Sequence, residues 1–188
     1  MPKELFNEDL WNVQEIKAVQ VHHTRMANGF IFGIGGKRVV FSGDTKPCDL
    51  LVEEGQNADL LIHEATFEDG HEADALRKKH STMGQAVEIG RKMNARNVIL
   101  THFSARYPKV PALPAYLEKC GNVGVAMDNL RVRIDQLELI PKLLPVFREI
   151  YQEELFEIEL RKESRILKEK VEQQEKQKTE LISRANAT

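Results

Sequence analysis

Four residues able to bind metals or move protons stand at the ends of apolar runs. His23 follows Lys17-Ala18-Val19-Gln20-Val21 and Asp44 follows Val39-Val40-Phe41-Ser42-Gly43. Glu64 follows Asp59-Leu60-Leu61-Ile62-His63, and His102 follows Asn97-Val98-Ile99-Leu100-Thr101. Short apolar runs of this kind read as buried strands. Open α/β folds place ligand sites outside the carboxyl ends of such strands. A histidine or carboxylate buried there without a partner costs several kcal/mol, and a shared metal site removes that cost. Imidazole and carboxylate suit zinc, and an aspartate bridges two ions about 3.5–4 Å apart. One strand-end histidine is more often a packing residue; the set of four shifts the balance towards a shared metal site. His22 competes with His23, because neighbours on a strand face opposite ways and one of the two points at the site.

These residues need a scaffold, and the sequence supplies one of α/β class. Residues 17–23, 58–63 and 97–103 read as strands, and 123–134 as one or two more. Residues 29–34 and 37–42 read as a hairpin around Gly35-Gly36, a pair suited to the positive φ angles of a tight turn. The glycine-rich Gly33-Ile34-Gly35-Gly36-Lys37 is therefore a turn and not a phosphate loop, which would need Ser or Thr after the lysine. A short helix is expected at 47–55. A second, over 82–93, has Met83, Ala86, Val87, Gly90 and Met93 on one face. Thr82 with Gln85 forms its capping box, so it starts just after His80. Residues 143–183 read as one long helix. Its stripe of Phe147, Ile150, Tyr151, Leu155 and Ile158 docks, and the charged stretch after Arg161 projects, with pairs such as Glu172 and Lys176.

In this order and spacing, Ser42-Gly43-Asp44-Thr45, His63-Glu64-Ala65-Thr66, His80-Ser81-Thr82 and Thr101-His102-Phe103-Ser104-Ala105-Arg106-Tyr107 resemble tRNase Z (ribonuclease Z). That family comprises tRNA 3′-processing endonucleases of the metallo-β-lactamase superfamily, and the charged tail resembles its long eukaryotic form. The resemblance implies the C-terminal half of an αββα sandwich over residues 1–142 and a charged helical tail over 143–188. It implies His23, Asp44 and His102 as metal ligands, with Asp44 bridging, and two Zn2+ per complete site. The spacing from His23 to Ala27 and Gly29 selects His23 over His22, although Asn28 stands where an aromatic is usual. Glu64 and His80 match a proton-handling pair beside the leaving group. A carboxylate partner would fix the ring tautomer of His80. His63 is read as structural, Cys48 as a small buried residue, and Lys46 and Arg77 as surface charges. Arg106 and Tyr107 are candidates for phosphate or base contacts.

The resemblance further implies precursor tRNA as partner, no membrane partner, and pairing either with a second copy of the complete protein or with an N-terminal half. It implies an intracellular place, in nucleus or mitochondrion. Composition agrees in what it excludes. A net charge of −2 over 188 residues announces no global nucleic-acid binder, so a local patch must serve. Two isolated cysteines make no disulfide framework. No leader pattern opens the chain, and no apolar run approaches the about 18–20 residues of a membrane span. The HxHxDH motif that supplies the family's first ligands does not occur in this sequence. The chain is therefore expected to be the C-terminal portion of a larger protein, inactive alone, with an unpaired sheet edge or face. A non-catalytic interaction module and another metallo-β-lactamase-like phosphodiesterase are the competing readings.

Overall fold

The computed structural model describes residues 12–105, 107 and 110–185, with side chains to residue 176. One mixed sheet carries the site. Its strands are β1 (Val13–Gln20), β2 (Asn28–Ile34), β3 (Lys37–Phe41), β4 (Leu60–Glu64), β5 (Val98–Thr101) and β6 (Val123–Val125), in spatial order 1-2-3-4-5-6. β1, β2 and β3 pair antiparallel, and β3 to β6 pair parallel. β1, β3, β4 and β5 therefore run the same way, and their carboxyl ends share one edge of the sheet. The β2–β3 turn is the expected two-residue hairpin: Gly35 and Gly36 have φ of 57° and 72°, and Ile34 pairs with Lys37.

The helices are α1 (Asp49–Glu54), α2 (Glu72–Lys78), α3 (Met83–Lys92), α4 (Tyr116–Cys120), α5 (Leu143–Ile150) and α6 (Gln152–Ala185), with a 3-10 turn at Leu137–Lys142. The main core lies between one face of the sheet and α1, α3, α4 and α5. Val19, Ile31, Val40, Leu61, Val98, Leu100 and Val123 meet Leu51, Ala86, Ile89, Leu117 and Leu144 there. On the other face, Leu137 and Ile140 cover Val39, Leu60 and Ile99. Gly124 permits that cover, since a Cβ there would stand 2.1 Å from Ile140 Cγ2. Towards β1 this second face lies open: Ile16 and Phe41 are each 40% exposed. The described residues thus make one α layer and one sheet, the half-sandwich expected.

Two expectations on elements need correction, and two short helices are added to them. β1 begins at Val13 and ends at Gln20, so His22 and His23 sit in the loop that follows it, and strand alternation does not decide between them. The short helices α2 and α4 were not read from the sequence. Neither has a side-chain cap, so the usual start signal is lacking. The tail is not one helix over 143–183. It breaks at Tyr151 (φ −108°, ψ 26°), where Tyr151, Leu155 and Ile158 pack with Val110, Ala112 and Met127. Hydrogen bonds from Tyr151 N–H to Phe147 and from Leu155 N–H to Tyr151 carry the chain across the bend. The capping box was legible. Thr82 Oγ1 accepts from Gln85 N–H at 3.3 Å, and Gln85 Oε1 accepts from Thr82 N–H at 3.0 Å.

Candidate metal centre

The common edge of β1, β3, β4 and β5 gathers the side chains named above. After β3, Gly43 (φ 60°) makes the turn that presents Asp44. Its missing Cβ would lie 2.7 Å from Asn28 O, so a larger residue does not fit. After β5, His102 adopts φ 60°, an uncommon conformation for a residue with a side chain, and one that occurs at functional sites. His102 Nε2 lies 3.5 Å from Asp44 Oδ1. His23, Asp44 and His80 present ligand atoms within 4.8 Å of one another, as do Glu64, His80 and His102. The ring centroids of His80 lie 4.6 Å from His23 and 5.7 Å from His102. The side chains of His102 and Asp44 are 51% and 40% exposed, so the cluster opens to solvent and to a substrate.

Hydrogen bonds decide which atoms remain for chemistry. Glu64 is 2% exposed and accepts five of them. Its Oε1 takes Thr45 N–H (2.8 Å) and His80 Nδ1–H (2.7 Å). Its Oε2 takes Thr66 N–H (3.1 Å), the Thr66 hydroxyl (2.7 Å) and Ser81 N–H (3.1 Å). A carboxylate so occupied is an anchor and not a ligand. His80 is held by it through Nδ1, which leaves Nε2 for the site. Thr66, having given its proton to Glu64, accepts from His102 Nδ1–H at 2.8 Å. His23 Nδ1–H donates to Lys79 O at 3.0 Å, with Lys79 in the left-handed region. The Nε2 lone pairs of His23 and His102 are thereby left for ligation. Outer partners of this kind fix the tautomer of ligating histidines.

The donor set fits zinc. Zinc bonds of about 2.0–2.2 Å put neighbouring tetrahedral ligands about 3.4 Å apart, close to the His102–Asp44 separation. Two cavities flank the cluster. One, of about 550 Å³, is lined by His23, Arg25, Lys46, Leu50 and Lys79. The other, of about 700 Å³, is lined by Phe41, His102, Phe103, Met127, Asp128 and Tyr151. Lys46 thus faces a cavity at the site, whereas Arg77 pairs with Asp74 on α2. His22 is exposed and its main chain is held by Thr45 Oγ1. His63 is fully buried and donates from Nδ1 to Glu64 O at 2.7 Å, and burial holds its pKa below the ordinary histidine value. Cys48 is buried. Tyr107 accepts from Glu68 N–H at 3.0 Å, and Arg106 lies outside the described residues. Sequence reasoning missed Thr66, Thr45, Ser81 and Lys79.

Residues 9–103 match the family model described as a beta-lactamase superfamily domain. The chain belongs to the β-lactamase superfamily. Relatives within this superfamily resemble it over most of its length. The zinc phosphodiesterase ELAC protein 2 homolog of Caenorhabditis elegans is 68% identical over 165 residues, which is 88% of this chain and 20% of that protein. The mitochondrial ribonuclease Z of Drosophila melanogaster is 46% identical over 132 residues, 70% of this chain and 17% of that protein. The crystal structure of a long-form RNase Z from yeast aligns with TM-score 0.63 and 32% identity over 74% of this chain and 20% of that one. The tRNase Z resemblance seen in the motifs therefore extends to sequence and fold. The chain spans about a fifth of the length of the relatives it matches.

Proposed function

We propose that this chain supplies the second half of a zinc-dependent endoribonuclease site that removes the 3′ trailer from precursor tRNA in the complete protein. The observation that carries the reading is the convergence of His23 and His102, each with Nδ1 committed and Nε2 spare, on Asp44. The names of the relatives, zinc phosphodiesterase and ribonuclease Z, support the metal and the bond cleaved. His23, Asp44 and His102 would hold the metal, with Asp44 shared between two ions. When bound, the ions supply Lewis acidity at the phosphate and a water acidic enough to attack.

The chain's own residues handle the rest. Glu64 fixes the His80 ring through Nδ1, so a protonated Nε2 is aimed to donate to the departing oxygen as a general acid. Arg25, Lys46 and Lys79 offer positive charge to backbone phosphates in one cavity. Phe103 and Tyr151 offer ring faces to a base in the other. In this reading residues 1–142 are the partial catalytic domain and 143–188 the helical tail. The open sheet face at Ile16 and Phe41 favours pairing with an N-terminal segment. The place of action would be mitochondrial, as in the name of the Drosophila relative, or nuclear.

The test joins this chain to an upstream region carrying HxHxDH and offers zinc and a 3′-extended precursor tRNA. Single-site cleavage abolished by Asp44→Ala is expected, with loss of bound zinc. Cleavage that survives the substitution, or none by the joined protein, overturns the reading.

A further inference from the structure

The second helix of the tail, α6, carries two apolar faces, and one of them has no partner among the described residues. Tyr151, Leu155 and Ile158 pack against Val110, Ala112 and Met127, and Lys162 pairs with Glu68 at 3.6 Å. At about 100° per residue Leu155, Ile158 and Lys162 share one side of the helix. Phe156, Leu160, Leu167 and Val171 fall on the opposite side, within an arc of about 60°. They are 65%, 47%, 64% and 46% exposed. A row of large apolar side chains on a projecting, mostly charged helix marks an interaction surface.

The pattern of that face names its occupant. The spacings are four, seven and four residues, so the stripe reads the same in both directions. Two copies laid antiparallel place Phe156 against Val171 and Leu160 against Leu167 of the other, four contacts from one register. Four of the flanking charges agree, while Glu163 meets the partner's Glu163 beside the twofold. On one flank Glu157 comes within about 3 Å of the height of the partner's Lys168 along the axis; on the other, Glu159 stands likewise to the partner's Lys170. By the twofold, each pair occurs twice. A parallel in-register pair would instead set Glu157 beside the partner's Glu159 and Lys168 beside the partner's Lys170. Such flanking charges set partner and orientation in paired helices. Glu159, Lys168 and Lys170 make no ion pair within their own chain among the described residues, and only Glu157 has one, with Arg161 at 3.1 Å. We infer that the stripe Phe156-Leu160-Leu167-Val171 is a self-association surface through which two copies of this chain pair by antiparallel contact of α6. The inference is independent of the catalytic reading.

The test uses the full 188-residue chain in sedimentation equilibrium. A reversible monomer–dimer equilibrium weakened by salt is expected. Leu160→Glu with Leu167→Glu should give a monomer of unchanged helix content by circular dichroism. Two charge-reversed variants decide the orientation, because each sets like charges together in the antiparallel pair and unlike charges in a parallel one: Glu159→Lys with Lys168→Glu, and Glu157→Lys with Lys170→Glu. Each alone should be monomeric, and an equimolar mixture should regain the dimer. A chain that stays monomeric at its solubility limit overturns the inference. So does a dimer that survives the two leucine substitutions, which would lie on another surface such as the open sheet face. Charge-reversed variants that still self-pair, or fail to pair when mixed, refute the antiparallel arrangement.

Discussion

At the scale of single residues, Glu64 organises the site through its hydrogen bonds. It holds His80 directly and His102 through Thr66, so one buried carboxylate sets two imidazoles. In the joined, zinc-loaded protein, His80→Ala should slow cleavage by about 10²–10⁴-fold, the usual size of a general-acid effect, while zinc content by elemental analysis stays unchanged. Glu64→Gln should act in the same direction, and the double variant should be far less than additive. Loss of zinc in the His80 variant would make His80 a ligand, consistent with its place beside His23 and Asp44. Thr66→Val removes the hydroxyl between Glu64 and His102. It should weaken zinc binding by about 10–100-fold, measured by competition with a chelator, and Thr66→Ser should restore it. His63 carries the pH prediction. Its folded pKa is lowered by burial, so below the ordinary value of 6.5 the unfolded chain takes up a proton that the folded chain refuses. Stability in apo chains should therefore fall as pH drops from 6.5 towards the lower folded value, and no further below it. His63→Asn, which keeps a donor for Glu64 O, should flatten that limb in urea unfolding at pH 7.5 and 5.5. An unchanged limb would place the proton elsewhere. The strand-end residues were legible because apolar runs that stop at His, Asp or Glu are chemically odd. Thr66 and Lys79 were not, because a hydroxyl and a main-chain carbonyl gain their roles only from what folding brings beside them.

Elements show the same division. The Gly35-Gly36 hairpin and the Thr82–Gln85 cap are local contests between neighbouring residues, and the sequence decides them. Strand order is a non-local outcome, yet the parallel set β3, β4 and β5 follows from crossovers through helices. The bend at Tyr151 depends on contacts with Val110 and Ala112, some 40 residues earlier, so no window around it reveals it. The tail prediction follows from those contacts. Deleting residues after 165 keeps Tyr151, Leu155, Ile158 and the Lys162–Glu68 pair. Among the described side chains it removes only exposed ones, whose loss costs the monomeric chain within about 0.5 kcal/mol. At concentrations where both chains are monomeric, thermal unfolding should shift by no more than about 2 °C. A collapse of folding would show that the distal half of α6 is docked.

On the scale of the whole molecule, the proposed two-zinc site raises a question of ligand count. Catalytic zinc takes three protein ligands and keeps one position for water. Two ions sharing Asp44 would receive one imidazole each from His23 and His102. Recruiting the spare nitrogen of His80 would add one donor and remove the general acid. Glu64 cannot help, since its oxygens already take five hydrogen bonds. The sheet face at Ile16 and Phe41 lies open on the same molecule, as a surface awaiting a second layer would. The 188-residue chain alone should therefore bind zinc weakly and leave a 3′-extended precursor tRNA uncut. Adding an N-terminal fragment that bears HxHxDH in trans should give metal-dependent cleavage at one site, because further donors and a cover for that face arrive together. Ile16→Glu with Phe41→Glu should block this restoration while leaving α6 self-association intact, which separates the two surfaces. Zinc-dependent single-site cleavage by the chain alone, abolished by Asp44→Ala, would show that the ligand count is wrong and that these residues suffice.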